Sequence, residues 1–212
     1  MKTLNKFNLV FFAVFFLSLN LCADFIAISK GVKEIKLTLN EETFIITRNQ
    51  NTNNIITKLY NSTHRGIPQA MIIEEGVETI GELEFIQYMK QAQNNENILI
   101  IDSRTPGWYE RLRIPGSLNI PFEYFYEEED AIEVLEDEFN VIVNEDKSLN
   151  FTNAATLIIY CNGYWCGQTP AMIKNAKYSL LKLKYPKEKI KYYRGGMQAW
   201  TSMGFTVHGD EK

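Results

Sequence analysis

Cysteine is scarce in this sequence: Cys22, Cys161 and Cys166 are the three cysteines among 212 residues. A chain with so few cysteines is not held together by the disulfide framework that stabilises small secreted domains. A chain of this length can instead bury a hydrophobic core of its own. Cys161 and Cys166 stand close together in one short stretch, so the pair needs a local explanation.

Positive charge and histidine are also scarce. The chain carries 22 Lys and Arg against 26 Asp and Glu, a formal net charge of −4. A surface of this sign attracts neither nucleic acid nor an anionic membrane, so we expect neither as a partner. The two histidines, His64 and His208, are far apart in the sequence. They suggest no metal site and no cysteine–histidine pair, and we predict neither a metal nor a cofactor.

No apolar run here is long enough to predict a membrane-spanning helix, which needs about 20 residues. Residues 9–21 are uncharged and largely apolar, and Lys2 and Lys6 precede them. This arrangement predicts a secretory signal peptide over residues 1–23, and hence a periplasmic protein with no membrane span after cleavage. Two alternatives stay open: an uncleaved signal that anchors the chain in the membrane, and lipid attachment at Cys22, which the bulky Leu21 disfavours.

Residues 24–78 predict a small β-rich extension before the main domain. Residues 35–39 and 43–47 alternate apolar and polar side chains and include β-branched residues. Such a pattern favours two short strands, here around a turn that begins at Asn40. Residues 48–54 are polar and rich in asparagine, as expected for a loop.

From about residue 79 the pattern changes to alternating helices and strands. Apolar runs of strand length occur at 98–101, 157–160 and 190–193, and helical spacing recurs around 83–92, 131–139 and 195–203. A further helix is predicted over residues 170–183, with Thr169 as its N-cap and Pro170 as its first residue. Strands that are apolar on both faces and alternate with helices predict an α/β fold, with a central parallel sheet flanked by helices on both faces.

Asp102 and Cys161 stand where two of these predicted strands end. Ligands bind at the carboxyl ends of the strands in parallel sheets, so we expect a site there. Cys161 also opens a glycine-containing loop that runs into a helix, where inward-facing amides and the helix N-terminus stabilise an anion. The Cys161 thiol should therefore ionise more readily than a free thiol, whose pKa is about 8.5. Such a thiolate is a nucleophile that can accept a sulfane sulfur as a persulfide.

The chain resembles the rhodanese family over roughly residues 79–207. Four motifs in the family's order carry the resemblance: Ile101-Asp102-Ser103-Arg104; Arg113-Ile114-Pro115-Gly116-Ser117 with Asn119-Ile120-Pro121; Tyr160-Cys161; and Arg194-Gly195-Gly196-Met197-Gln198-Ala199-Trp200. The resemblance implies a rhodanese-like domain over 79–212, of the exported bacterial type, with sulfurtransferase activity. It also implies that Cys161 carries the persulfide and that Asp102 and Arg104 support the loop. The loop backbone that would cradle the persulfide belongs to Asn162, Gly163, Tyr164, Trp165, Cys166 and Gly167.

Two places depart from the family pattern. Leu112 and Arg113 stand where the family usually has glycine and histidine, and Cys166 stands where many members carry a loop arginine. Without that arginine, a dianion such as thiosulfate loses a partner that grips it with two hydrogen bonds, so we expect weak activity with thiosulfate. The loss also argues against the phosphatase relatives. Arg194, beside paired glycines, is a candidate to replace the missing arginine.

The roles of several residues stay open. Cys166 is either one half of a structural disulfide with Cys161 or a resolving thiol, which attacks the persulfide and releases hydrosulfide. Asp102 and Arg104 are either an ion pair that steadies the sheet edge or a direct part of catalysis.

The function expected from the sequence is sulfur transfer in the periplasm. A small sulfur-containing donor would load Cys161, and a thiol or a protein would accept the sulfur. Two alternatives belong to other classes: a non-catalytic binding module that uses the same pocket, and a thiol–disulfide redox protein built on Cys161 and Cys166.

Overall fold

The computed structural model describes residues 25–61 and 66–211. The predicted signal peptide, residues 1–23, and His64 lie outside these ranges. Within them, no helix has the length and apolar character needed to cross a membrane.

Short strands and helices alternate along the described part of the chain. The strands are β1 (Ile35–Leu39), β2 (Glu42–Ile46), β3 (Glu78–Thr79), β4 (Ile98–Asp102), β5 (Leu118–Asn119), β6 (Ile142–Val143), β7 (Leu149–Asn150), β8 (Thr156–Tyr160) and β9 (Ile190–Tyr193). The α-helices are α1 (Glu82–Ala92), α2 (Pro106–Arg111), α3 (Glu128–Asp137), α4 (Gln168–Pro170) and α5 (Gly196–Ser202). Two 3-10 turns, Phe122–Tyr126 and Lys187–Lys189, and a π-helical turn, Ala171–Asn175, join them.

A five-stranded parallel sheet forms the centre of the fold, with the strand order β3-β9-β8-β4-β5. Its middle strand, β8, pairs with β4 over all five residues and with β9 over four, Leu157–Tyr160. Side chains of β8 leave the sheet alternately: Ile158 and Tyr160 enter one core, and Leu157 and Ile159 enter the other. Helices α1 and α5 cover the first core and α3 covers the second. The predicted α/β fold is therefore confirmed, and burial on both faces explains the continuous apolar runs.

The extension contributes directly to the first core. Strands β1 and β2 pair antiparallel, as predicted, around a turn in which Asn40 and Glu41 have φ of 48° and 64°. Two consecutive positive φ values are typical of the hairpin turn whose twist matches the flanking strands. Phe44 is buried in the first core, and the Glu42 carboxylate accepts a hydrogen bond from the Gly116 amide at 2.8 Å.

The predicted helix over residues 170–183 is wrong. Helix α4 ends after one short turn and passes into the π-helical turn. Gly167 occupies the N-cap position instead of Thr169, and Pro170 is the last residue of α4, not its first.

Backbone geometry explains this error. Ala176 has ψ of 160°, which is extended, so the helix cannot continue through it. The chain then folds back, and the Leu180 amide donates to the Met172 carbonyl at 2.9 Å. The apolar residues whose spacing suggests a helix are nevertheless buried: Ile173, Ala176 and Leu180 all belong to the second core.

Candidate functional site

Cys161 follows β8 directly and opens the active loop, residues 161–167. The loop lies across the N-terminal end of α5. There the Met197 amide donates to the Cys161 carbonyl at 3.0 Å, and the Gln198 amide donates to the Asn162 carbonyl at 2.9 Å. Gly196 is required here, because its φ is +52° and a Cβ would lie 2.2 Å from the Cys161 carbonyl oxygen. Gly196 therefore allows the loop to rest on α5.

The Cys161 sulfur lies among hydrogen-bond donors. The residue is only 2 % exposed. The Cys166 thiol, the Thr169 hydroxyl and the amides of Thr169 and Gly163 all direct hydrogen bonds to it. In the protonated form the Cys161 thiol donates in turn to the Cys166 carbonyl at 3.6 Å. Burial raises the pKa of the Cys161 thiol, but the hydrogen bonds to the sulfur outweigh burial and lower the pKa to about 7. The thiolate, which is the nucleophilic form, is therefore favoured relative to a free thiol.

Cys166 is the neutral partner of this thiolate. It is buried, and both cysteines are unbonded thiols in this structure. Its hydrogen bond to Cys161, together with burial, raises the pKa of the Cys166 thiol far above its ordinary value. Cys166 therefore keeps its proton, for which Cys161 and Gln168 Oε1, 3.5 Å from the Cys166 sulfur, are the two acceptors. Its roles as a resolving thiol or a disulfide partner stay predictions.

Thr169 is a site residue that the sequence analysis assigned to another role. It is fully buried, and its hydroxyl lies 2.7 Å from the hydroxyl of Ser103. The Ser103 hydroxyl has one proton, which it can donate either to the Tyr160 carbonyl at 2.8 Å or to the Thr169 hydroxyl. Only the second arrangement leaves the Thr169 proton for the Cys161 sulfur. Ser103 belongs to the first motif and Thr169 follows the loop, so a short chain of hydroxyls connects β4 to the sulfur.

Asp102 and Arg104 form a fully buried ion pair, joined at 2.8 Å through Nε and at 2.6 Å through Nη2. Nη2 also donates to the Leu112 carbonyl at 2.6 Å, and Nη1 donates to Tyr60 Oη at 2.6 Å and to Asn162 Oδ1 at 3.2 Å. All five N–H groups of the guanidinium are thus engaged within the protein. The pair lies beside the active loop, as the resemblance implies, and Arg104 holds the loop through Asn162.

A segment of the extension, residues 66–73, covers the active loop; we call it the strap. The Gln69 amide donates to the Tyr164 carbonyl at 2.7 Å, and its side-chain amide donates to the Trp165 carbonyl at 3.3 Å. The Gln69 carbonyl accepts two hydrogen bonds from Arg194, at 3.0 and 2.9 Å. Arg194 also lies over the Tyr164 ring, at 5.1 Å from its centroid. Arg194 therefore clamps the strap here, and its predicted role as an anion anchor would require release of Gln69.

Sequence reasoning missed Tyr60 and Gln69. Both belong to the extension, and each reaches the active loop across roughly a hundred residues of sequence. No local pattern marks either residue, since a tyrosine before a polar loop or a glutamine after a proline is ordinary. Among the described residues, no group of three or more histidines, cysteines and carboxylates is placed to hold a metal ion.

Comparison with known proteins identifies one family model, the rhodanese-like domain, which matches residues 85–203. Similar solved structures include a protein from Bacillus halodurans, with 20% identity and a TM-score of 0.43 over 62% of this chain and 77% of that one. The rhodanese-like domain of a protein from Anabaena sp. matches with 15% identity and a TM-score of 0.41 over 65% and 81%. A thiosulfate sulfurtransferase from Pseudomonas aeruginosa matches with 16% identity and a TM-score of 0.41 over 63% of this chain but 20% of its own. No curated protein matches the chain.

Proposed function

Because the chain belongs to the rhodanese-like domain family, we propose that it is a periplasmic sulfurtransferase that carries a sulfane sulfur as a persulfide on Cys161. One observation supports this most directly: Cys161 directly follows the central strand β8, and the hydrogen bonds to its sulfur lower the pKa of the thiol to about 7. The signal peptide predicted from the sequence supports the location. Transfer of this kind uses no metal and no cofactor.

The proposed reaction has two displacements. The Cys161 thiolate attacks the sulfane sulfur of the donor, a new S–S bond forms, and the old bond breaks so that the donor remnant leaves with the electron pair. With thiosulfate the remnant is sulfite; with a persulfide it is a thiolate. An acceptor thiolate then attacks the outer sulfur and takes it away, and Cys161 returns as a thiolate. No electrons are gained or lost over the cycle.

The thiol of Cys166 favours a second outcome for the persulfide. Cys166 already hydrogen-bonds to Cys161, so it is placed to attack the inner sulfur of the persulfide. The Cys166 proton would pass to the outer sulfur, the Cys166 thiolate would then attack the inner sulfur, and the bond between the two persulfide sulfurs would break. A Cys161–Cys166 disulfide would form, and the outer sulfur would leave as hydrosulfide. A dithiol reductant would then restore both thiols. In this route the same site works as a thiol–disulfide redox pair.

Mass spectrometry of the chain without residues 1–23 tests the proposal. The protein is incubated with thiosulfate, glutathione persulfide or inorganic polysulfide, and Cys161→Ser and Cys166→Ser are treated alongside. Sulfur transfer predicts a gain of one sulfur atom that Cys161→Ser abolishes. Cys166→Ser should accumulate more persulfide than the parent if Cys166 resolves it. A disulfide formed without sulfur uptake would favour the redox alternative, and no adduct with any donor would favour the binding module.

A further inference from the structure

Tyr60 connects the extension to the active loop through a buried hydrogen-bond network. The residue lies outside the family match and is only 3 % exposed. Its hydroxyl accepts from Arg104 Nη1 at 2.6 Å and donates to Asn162 Oδ1 at 2.9 Å. Burial raises the pKa of the Tyr60 phenol above its ordinary value, so the hydroxyl stays protonated and keeps its donor role.

Asn162 transmits this contact to the sulfur. Its side-chain oxygen accepts from Tyr60 and from Arg104, and its backbone carbonyl accepts from the Gln198 amide at 2.9 Å. The peptide group that carries this carbonyl also carries the Gly163 N–H, which donates to the Cys161 sulfur. A peptide group is planar, so anchoring Asn162 at both its side chain and its carbonyl fixes the direction of that N–H.

We propose that Tyr60 is a positioning residue of the Cys161 site: its hydroxyl orients Asn162 and thereby aims the Gly163 amide at the sulfur. The extension is then a working part of the site and not an appendage. Arg104 alone holds Asn162 less well, because its contact is the longer one at 3.2 Å. The inference deepens the proposed function, but it concerns thiolate stabilisation and is tested without any sulfur donor.

Tyr60→Phe removes the hydroxyl and keeps the ring. Tyr185→Phe is the matched control, because Tyr185 is also buried and its hydroxyl donates one hydrogen bond, at 2.6 Å to the Ala155 carbonyl beside the second core. Thiolate absorbance is titrated against pH for each protein, and the Cys161→Ser signal is subtracted. This readout does not depend on access to the buried sulfur. Thermal unfolding is recorded in parallel.

We expect both variants to lose stability and only Tyr60→Phe to raise the midpoint of the thiolate titration. The acid dissociation constant should fall about threefold, less than the roughly fivefold that complete loss of a typical hydrogen bond gives. An unchanged midpoint in Tyr60→Phe, or an equal shift in both variants, would overturn the inference.

Asn162→Ala supplies a second test, which holds even if Tyr60→Phe folds poorly. It should raise the midpoint at least as much as Tyr60→Phe, and adding Tyr60→Phe to it should shift the midpoint no further. Additive shifts, or an unchanged midpoint in Asn162→Ala, would contradict action through Asn162. If the variants show these shifts and the wild-type protein takes up no sulfur from any donor, the proposed function is refuted and the positioning role of Tyr60 stands.

Discussion

Replacing Thr169 with valine should raise the pKa of Cys161. The substitution keeps the shape of the side chain and removes the hydroxyl that donates to the sulfur. A hydrogen bond to a charged group contributes about 1.5–3 kcal/mol, and one pKa unit corresponds to about 1.4 kcal/mol. The lower end applies here, because the Thr169 proton is available to the sulfur only while the Ser103 hydroxyl, 2.7 Å away, donates to Thr169 and not to the Tyr160 carbonyl. The pKa should therefore rise by about one unit, so that the same thiolate fraction is reached at a pH about one unit higher.

The pH dependence of Cys161 alkylation measures this shift, with peptide mapping used to separate Cys161 from Cys166. Thr201→Val is the control: it also removes a buried threonine hydroxyl, but that hydroxyl donates to the Met197 carbonyl within α5 at 2.8 Å. The control should leave the midpoint of the profile near pH 7. A Thr169→Val profile that superimposes on the wild-type profile would show that the hydroxyl does not stabilise the thiolate.

Three further predictions concern the buried pair, the strap and the hairpin. Arg104→Met leaves the Asp102 carboxylate buried without its partner and should cost about 3–5 kcal/mol of unfolding free energy in urea; a loss below about 1 kcal/mol would contradict a tightly paired interior. Arg194→Ala removes the clamp on the strap, so a bulky disulfide reagent should modify Cys161 faster while the thiolate midpoint stays in place; equal rates would exclude gating by the strap. Burial raises the pKa of Glu42, but a backbone amide and the ring of His208 outweigh it and lower the pKa. This contribution to stability is present above the unfolded pKa and is lost as the pH falls through the folded pKa, so Glu42→Gln should flatten the acid side of the stability profile; an unchanged slope would refute it.

The sheet could be predicted from the sequence because its signal is local. Burial on both faces forces β4 and β8 to be continuous apolar runs, and Asp102 and Cys161 mark the positions where those runs end. Parallel pairing then brings the two ends to the same edge. The helix beyond Thr169 could not be predicted in the same way, since apolar residues three and four apart are also buried by the compact turns that follow Ala176.

Contacts between the extension and the active loop could not be predicted at all. Tyr60 and Gln69 reach the loop through hydrogen bonds across about a hundred residues, and such contacts depend on how the finished elements pack. Arg194 shows the same limit. Its place beside the paired glycines suggests an anion anchor, which stays a prediction, and no sequence pattern indicates that its guanidinium donates to the Gln69 carbonyl.

The charges of the side chains around the active loop affect which sulfur donors the proposed site can bind. Cys166 stays neutral, because its hydrogen bond to Cys161 and its burial raise its pKa. Two arginines contact the loop. All the N–H groups of Arg104 donate to acceptors inside the protein, and Arg194 donates from Nε and Nη2 to the strap. A dianion that enters beneath the strap meets no arginine that is free of hydrogen bonds within the protein, and the cost of leaving water grows with the charge of the ion. A persulfide group carries at most one negative charge, so for the proposed sulfur transfer we expect an organic persulfide to be a better donor than thiosulfate.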